Sequence, residues 1–287
     1  MVVWFNFLFG PLMANKVIDP TDGLVADVVG PWASEKHERL RKYIDAYRGA
    51  RAMFLPNKGT GGASYIDLFS GPGRSQVEGT AQFIDGSPLV AFRAAQSSRA
   101  GFSNLHFNDL DAENVDALRL RISNLGGAAN FYCERADAAV DRIIYALNPA
   151  GLHFAFLDPY NLENLSFSII KKLATLPRMD MLIHVSIFDL QRNLRRYLND
   201  RRVLDAFMPG WHGAVDVNES DHAVRRQLLQ HWLGLIKSLG TTPADGIELV
   251  SATGGQRLYW LVFVSAHPLG RKLWNDIRNV NVQGRLL

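Results

Sequence analysis

The sequence predicts an α/β protein built on an open, mostly parallel sheet. Three observations predict it. Apolar runs of strand length alternate with helix-periodic segments from Tyr65 to Ser186. The first run passes into a tight Gly71-Pro72-Gly73 turn. The last two strand-like runs, Gly246–Ser251 and Leu258–Ser265, flank Gly254-Gly255 and read as a β-hairpin.

The elements follow in order. Pro31–Tyr47 reads as a helix, with Trp32, Leu40, Tyr43, Ile44 and Tyr47 near one face by three-and-four spacing. Tyr65–Phe69 is the first strand, followed by a long polar loop, Arg74–Asp85. Ser87 is placed to cap the next helix, with Pro88 at its first position. Strands at Asn104–Asn108, Asn130–Cys133, Leu152–Leu157 and Met179–Ser186 then alternate with helices at about 111–125, 137–147 and 166–176. The rhythm breaks at Asp189, where two helical stretches (about 189–207 and 220–239) intervene without a strand. Residues 1–30 read as an irregular leader and 31–287 as one domain, with a helical insertion at 189–239.

Composition bounds the function. The chain has 287 residues, 47% apolar and 21% charged, as soluble globular proteins do. Its single cysteine, Cys133, excludes an internal disulfide and a cysteine-cluster metal site. A net charge of +3 demands no nucleic acid. No run approaches the roughly 20 apolar residues of a membrane span. The greasy stretch Met1–Leu12 lacks a basic leader region and reads as an upstream mis-start or a docked tail. A cytoplasmic protein is expected.

Four acids fall at or near successive strand ends: Asp67, Asp109, Asp137 and Asp158. In a parallel sheet those ends share the edge where nucleotides bind. Asp67 lies within an apolar strand, where a carboxylate needs donors. Phe69, Gly71 and Gly73 would shape the pocket, Asp109 would accept from ribose hydroxyls, and Asp137 from an adenine amino group or cap its helix. Asp111 competes with Asp109 but is better placed as a helix cap. Asp109 lies 36 residues beyond Gly73, against an interval of about 20 in dinucleotide folds, which argues against NAD. Arg192, Arg195 and Arg196 share a helical face, with Tyr197, Trp211 and Trp232 interleaved nearby. That pattern suits a nucleic-acid strand or a solvated face. His106 and His153 lie in strands as hydrogen-bonded core residues, and His184, His212, His222 and His231 show no metal spacing.

The run Tyr65–Arg74 resembles the first motif of class I S-adenosylmethionine-dependent methyltransferases. Their Rossmann-like sheet is likewise mostly parallel, closed by a C-terminal hairpin with one antiparallel strand. Asp158-Pro159-Tyr160 is similar to the strand-4 motif of amino-methyltransferases but lacks a second proline, which puts a flipped-base amine in doubt. The resemblance implies S-adenosylmethionine as cofactor, with Asp67 toward its amino group, and Asp158 and Tyr160 facing the acceptor.

Four stretches narrow the likeness: Trp32–Tyr43 leading to Tyr47; Tyr65–Gly73 with Gly86–Leu89; Phe156–Tyr160; and Tyr259–Trp274. Together they resemble the three-Cys-motif partner (TcmP) family over about residues 30–278, with region 189–239 matching least. That resemblance implies a partner bearing a three-cysteine motif, radical-SAM-like, and leaves the acceptor open. The competing reading is a non-catalytic adaptor that keeps the fold and holds a protein or nucleic acid through its arginine-rich helices.

Overall fold

The computed structural model describes residues 15–244, 248–251 and 257–283. The expectations for Met1–Leu12, for Gly246 and for the Gly254-Gly255 turn lie outside these residues. The chain runs β1 (Lys16–Ile18), β2 (Val25–Val29), α1 (Ala33–Ala46), α2 (Arg48–Ala52), β3 (Ala63–Asp67), β4 (Arg74–Val77), β5 (Phe83–Asp85) and α3 (Ser87–Ser97). Next come β6 (Asn104–Asn108), α4 (Ala112–Asn124), β7 (Asn130–Tyr132), α5 (Ala136–Ala146), β8 (Leu152–Leu157), α6 (Phe167–Leu173) and β9 (Met179–Ser186). The chain continues with α7 (Ile187–Asn199), α8 (Arg202–Phe207), α9 (Asp221–Ser238), β10 (Thr242–Pro243), β11 (Glu248–Ser251), β12 (Arg257–Ser265) and α10 (Pro268–Gln283).

The main sheet has the order β10-β12-β9-β8-β3-β6-β7, with β11 also paired to β12. The strands from β7 to β9 are parallel, and β12 runs antiparallel beside β9. This is the class I methyltransferase-like Rossmann sheet expected from the alternation of elements. The strand order reverses between β3 and β8. That switch point is where open α/β sheets bind ligands.

Side-chain alternation sorts the core onto two faces. Tyr65, Phe107, Phe154, Phe156 and Leu182 pack under α1, α3, α4 and α10; Ile66, Ala155, Leu157, Met181 and Ile183 pack under α5 to α9. The first face is aromatic: the Tyr43 ring lies 4.8 Å from both Phe154 and Phe263, and Trp274 stacks on Phe263 at 5.3 Å. The Tyr43 hydroxyl donates to buried Asp180 (2.6 Å), tying α1 to β9.

Several expectations need correcting. The described part of the leader, residues 15–30, is not irregular: β1 and β2 form a hairpin, and β2 pairs in parallel with β4 in a second sheet, β1-β2-β4-β5. The polar loop Arg74–Asp85 supplies β4 and β5 to that sheet. Trp32 does not join the buried face of α1. It is 36% exposed at the N-cap position, its ring lying over Gly30. Gly86, not Ser87, is the N-cap of α3, because Ser87 points its hydroxyl at Asp67. The helix expected over 189–207 is two helices, since α7 ends where Asp200 turns extended. Asp111 does cap α4, accepting from Glu113 N at 2.9 Å.

Candidate functional site

The site edge begins with the turn after β3. Gly71 and Gly73 have φ of +56° and +88°, the left-handed region that glycine alone enters cheaply. A β-carbon on Gly73 would stand 2.7 Å from Leu118 Cδ1, and one on Gly71 2.8 Å from Asp27 Oδ2. Gly73 accepts from Gly86 N at 2.7 Å, and Ser70 N donates to Asn108 O at 2.9 Å, so the turn is fixed to α3 and β6.

Asp109 holds the turn from the end of β6. Its carboxylate accepts from Gly71 N (2.9 Å), Asp111 N (2.9 Å) and Asn114 Nδ2 (3.1 Å). Asp27 on β2 faces the same place. Its Oδ1 is shut off from solvent without a hydrogen-bond partner. Burial first, then the charge of Asp109, pushes the Asp27 carboxyl up to about 6. A buried acceptor with no donor, beside a second carboxylate, suits a ligand that brings hydroxyl or cationic donors.

The β1–β2 hairpin covers this turn and is tied down by ion pairs. Arg121 of α4 reaches Asp22 through two nitrogens (2.7 and 2.9 Å) and donates to Val25 O (2.8 Å) and Pro72 O (2.7 Å). Arg74 bridges Asp19 (2.9 Å) and Asp85 (3.0 Å), and Lys16 binds Asp111 (2.6 Å).

On the α1 side of the switch point lies a buried polar cluster. Alternation puts Asp67, Asp158 and His184 on one face, at or near the ends of β3, β8 and β9. Asp67 is fully buried; Ser87 Oγ donates to it at 2.7 Å, Phe69 N at 3.2 Å and Tyr65 OH at 3.3 Å. Burial raises its carboxyl to about 7. Its oxygens serve the turn rather than an open pocket. Asp158 Oδ2 is bound by Lys36 Nζ of α1, and its Oδ1 lies 3.3 Å from His184 Nδ1. Burial alone would raise Asp158; Lys36 and then His184 override it and hold the carboxyl below its ordinary value. His184 falls to about 4 through burial, and so does His37, beside Lys36. The Tyr259 ring lies 4.4 Å from His184 and 5.9 Å from Lys36 Nζ.

The remaining expected residues stand apart from this cluster. Tyr160 is 62% exposed. Asp137 lies one residue inside α5, with its side chain 45% exposed and 3.2 Å from Arg135. Arg192, Arg195 and Arg196 share an exposed face of α7: Arg192 lies over Phe188, Arg196 over Tyr197, and Arg195 binds Asp221 at 2.5 Å. His106 and His153 are hydrogen-bonded strand residues as expected, to Tyr132 OH and Asn148 O, both at 3.0 Å. Among the described residues no acid, cysteine and histidine group could hold a metal.

Sequence reasoning missed Lys36, Asp27 and the role of His184. The signal for Lys36 was present, since it precedes Leu40, Tyr43 and Tyr47 at the same helical spacing. For Asp27 and His184 no local pattern exists, because their partners come from distant segments.

No protein-family model and no curated relative matches this chain. Solved structures resemble its trace at low identity. An O-methyltransferase from Bacillus cereus in complex with SAH is 14% identical, with 78% of this chain and 80% of that one covered and a TM-score of 0.46. The N-methyltransferase NodS from Bradyrhizobium japonicum, in complex with S-adenosyl-L-homocysteine, is 9% identical (83% and 89% covered, TM-score 0.39). A protein from Legionella pneumophila is 10% identical (82% and 89% covered, TM-score 0.45). TM-scores below 0.5 at such identities assign this chain neither ligand nor activity. Its fold class rests on its own strand order.

Proposed function

We propose that this chain binds S-adenosylmethionine at the switch-point edge and acts as a methyltransferase. The reading is carried by one coincidence: the left-handed Gly71–Gly73 turn, the Asp27–Asp109 carboxylates and the Asp158 cluster converge where the strand order reverses. The donor set fits the cofactor, because the unpartnered Asp27 Oδ1 and its neighbour Asp109 call for hydroxyl or cationic donors. When bound, S-adenosylmethionine supplies a methyl group on a positive sulfur, whose carbon–sulfur bond breaks with its electron pair passing to sulfur.

The chain's own residues would hold and orient. Gly71, Gly73 and Phe69 shape the backbone cradle; Asp109 and Asp27 take hydroxyl or ammonium hydrogens; Asp67 keeps the turn closed through Phe69 N and Ser87. Asp137 stands at the start of α5, where an adenine amino group could reach it. On this reading the Asp158 cluster and the exposed Tyr160 mark the acceptor side, with Asp158 itself held by Lys36, and catalysis is chiefly orientation. Calorimetry and thermal shift with S-adenosylmethionine and S-adenosylhomocysteine test this. Absence of both heat and stabilisation at high micromolar ligand ends the reading.

The acceptor side is open to a nucleic acid, a reading that the exposed Arg192–Arg195–Arg196 face favours. The finer likeness to three-Cys-motif partner proteins adds a second protein with a three-cysteine motif. Co-purification with such a protein, with turnover assayed in its presence and absence, separates an enzyme from an adaptor.

A further inference from the structure

We propose that Phe188 and Arg192, at the start of α7, form a stacking platform for an unpaired base, so that the acceptor is a single-stranded nucleic acid. The inference rests on the methyl-transfer reading of the same edge and narrows its acceptor class. Its first ground is position. β9 ends at Ser186, which caps α7, so Phe188 falls in the first turn of that helix, at the ligand edge of the sheet. Its neighbour Asp189 accepts from Leu162 N at 3.0 Å. Leu162 stands two residues after the exposed Tyr160, in the loop that follows Asp158. One hydrogen bond therefore ties the first turn of α7 to the acceptor loop.

The second ground is the state of the side chains. Phe188 is half-buried and belongs to neither hydrophobic cluster of the core. The Arg192 guanidinium lies 5.3 Å from the centroid of its ring, and the four-residue spacing puts both on one face of the helix. Arg195 is engaged by Asp221, and Arg196 lies over the Tyr197 ring, which is buried. Arg192 instead meets a ring that is itself part-exposed, and among the described residues it forms no ion pair. The nearest acid on its own helix, Asp189, spends its oxygens on Leu162 N, Tyr197 OH and Asn193 Nδ2.

These two flat groups separate a single strand from a duplex. Arginine charge alone suits either, because both carry phosphates. Within a duplex the faces of each base are already covered by its neighbours, so an aromatic ring and a guanidinium plane gain little from it. The bases of a single strand are free to stack on such faces. A platform of this kind reads neither sugar nor sequence, so RNA and DNA strands are one ligand class to it. A strand passing from the Tyr160 loop across Phe188 and Arg192 meets Arg196 one turn farther along α7, where its phosphates find a further positive charge.

The test is fluorescence anisotropy of the full chain, saturated with S-adenosylhomocysteine, on a labelled oligothymidylate, an oligouridylate and a DNA duplex of the same length. Both single strands should bind several-fold tighter than the duplex. Phe188→Ala should weaken single-strand affinity about ten-fold at fixed salt. It should leave the salt dependence unchanged, since no phosphate contact is lost. Phe188→Trp should restore the affinity, and its added indole fluorescence should be quenched by the strand. Arg192→Lys keeps the charge and loses the plane, so it should keep the salt slope and lose affinity several-fold. If Phe188→Ala does not fold, Arg192→Lys, a change at an exposed position, decides the matter alone. Duplex binding as tight as that of the single strands overturns the proposal, as does wild-type affinity in Phe188→Ala and Arg192→Lys. Absence of nucleic-acid binding at low salt overturns it too, and leaves this face to a protein partner. Failure of the wild type to bind S-adenosylhomocysteine counts against the methyltransferase reading instead, and the oligonucleotide measurements, made without that ligand, still decide the platform.

Discussion

Lys36 is a lysine at a position a helix normally gives to leucine, and its ammonium is tolerable only because Asp158 meets it. Removing one member of a buried ion pair strands the other. Lys36→Met should therefore cost about 3–5 kcal/mol, read by urea unfolding, while Lys36→Met with Asp158→Asn should recover most of it. If the single and double variants are equally unstable, the pair is not coupled. Titration gives a second residue-scale expectation. The imidazole of His106 falls from an ordinary 6.5 to about 4 through burial. Between those values the unfolded chain takes up a proton that the folded one refuses, so stability drops as pH falls through this window. His37 and His184 add in the same direction. Asp27 and Asp67 oppose them: their folded carboxyls keep protons that unfolded ones release, so their share of stability drops as pH rises toward about 6 and about 7. His106→Gln should flatten the histidine contribution, lowering the slope of unfolding free energy between pH values of about 4.5 and about 6 by about 1.4 kcal/mol per unit. An unchanged slope would mean that folded His106 already carries its proton.

At the scale of elements, the parallel strands and their helices were legible because each keeps its own period, two or about 3.6, within one continuous segment. The β1–β2 hairpin was not. Its strands are short and punctuated by Asp19, Pro20 and Gly23, and what holds them is Arg121, from a helix about a hundred residues away. Ser87 was misread for a related reason: a cap is a local rule, and buried Asp67 outcompeted it. Asp67, Asp109 and Asp158 were legible as a row at the strand ends, whereas Asp137 lies inside α5. Their division of labour was not, since it depends on Ser87, Asn114 and Lys36 coming from three different helices. Arg121→Met tests the clamp. Losing its hydrogen bonds to charged and carbonyl partners should cost about 2 kcal/mol. The amides of Val25–Val29 should exchange faster than those of β3 and β8. Uniform acceleration across all strands would instead make the hairpin part of the global folding unit.

For the molecule as a whole, what matters is where the chain goes after β9. Ser186 ends that strand and caps α7, accepting from Asp189 N at 3.1 Å, so the α7–α9 insertion leaves the sheet at the edge that carries Asp158 and His184. Asp189 anchors it there, accepting from Leu162 N (3.0 Å) and Tyr197 OH (2.8 Å). The insertion packs Leu190, Leu194, Trp211 and Trp232 into the core and turns Arg192, Arg195 and Arg196 outward. With a net charge of only +3, attraction of a polyanion would have to come from such a local face. If the acceptor is a nucleic acid, neutralising about three phosphates at roughly 0.7–0.9 each gives this face a slope of about −2 to −3 in log affinity against log salt. Arg195 would contribute least, because it must first leave Asp221. Replacing all three arginines with alanine should remove that slope while the affinity for S-adenosylhomocysteine stays put, because none of the residues proposed to hold the cofactor lies on α7. Binding of RNA or DNA that ignores salt, or no binding, would return these arginines to solvent or to a protein interface. A parallel loss of S-adenosylhomocysteine affinity would show instead that the insertion closes over the cofactor edge.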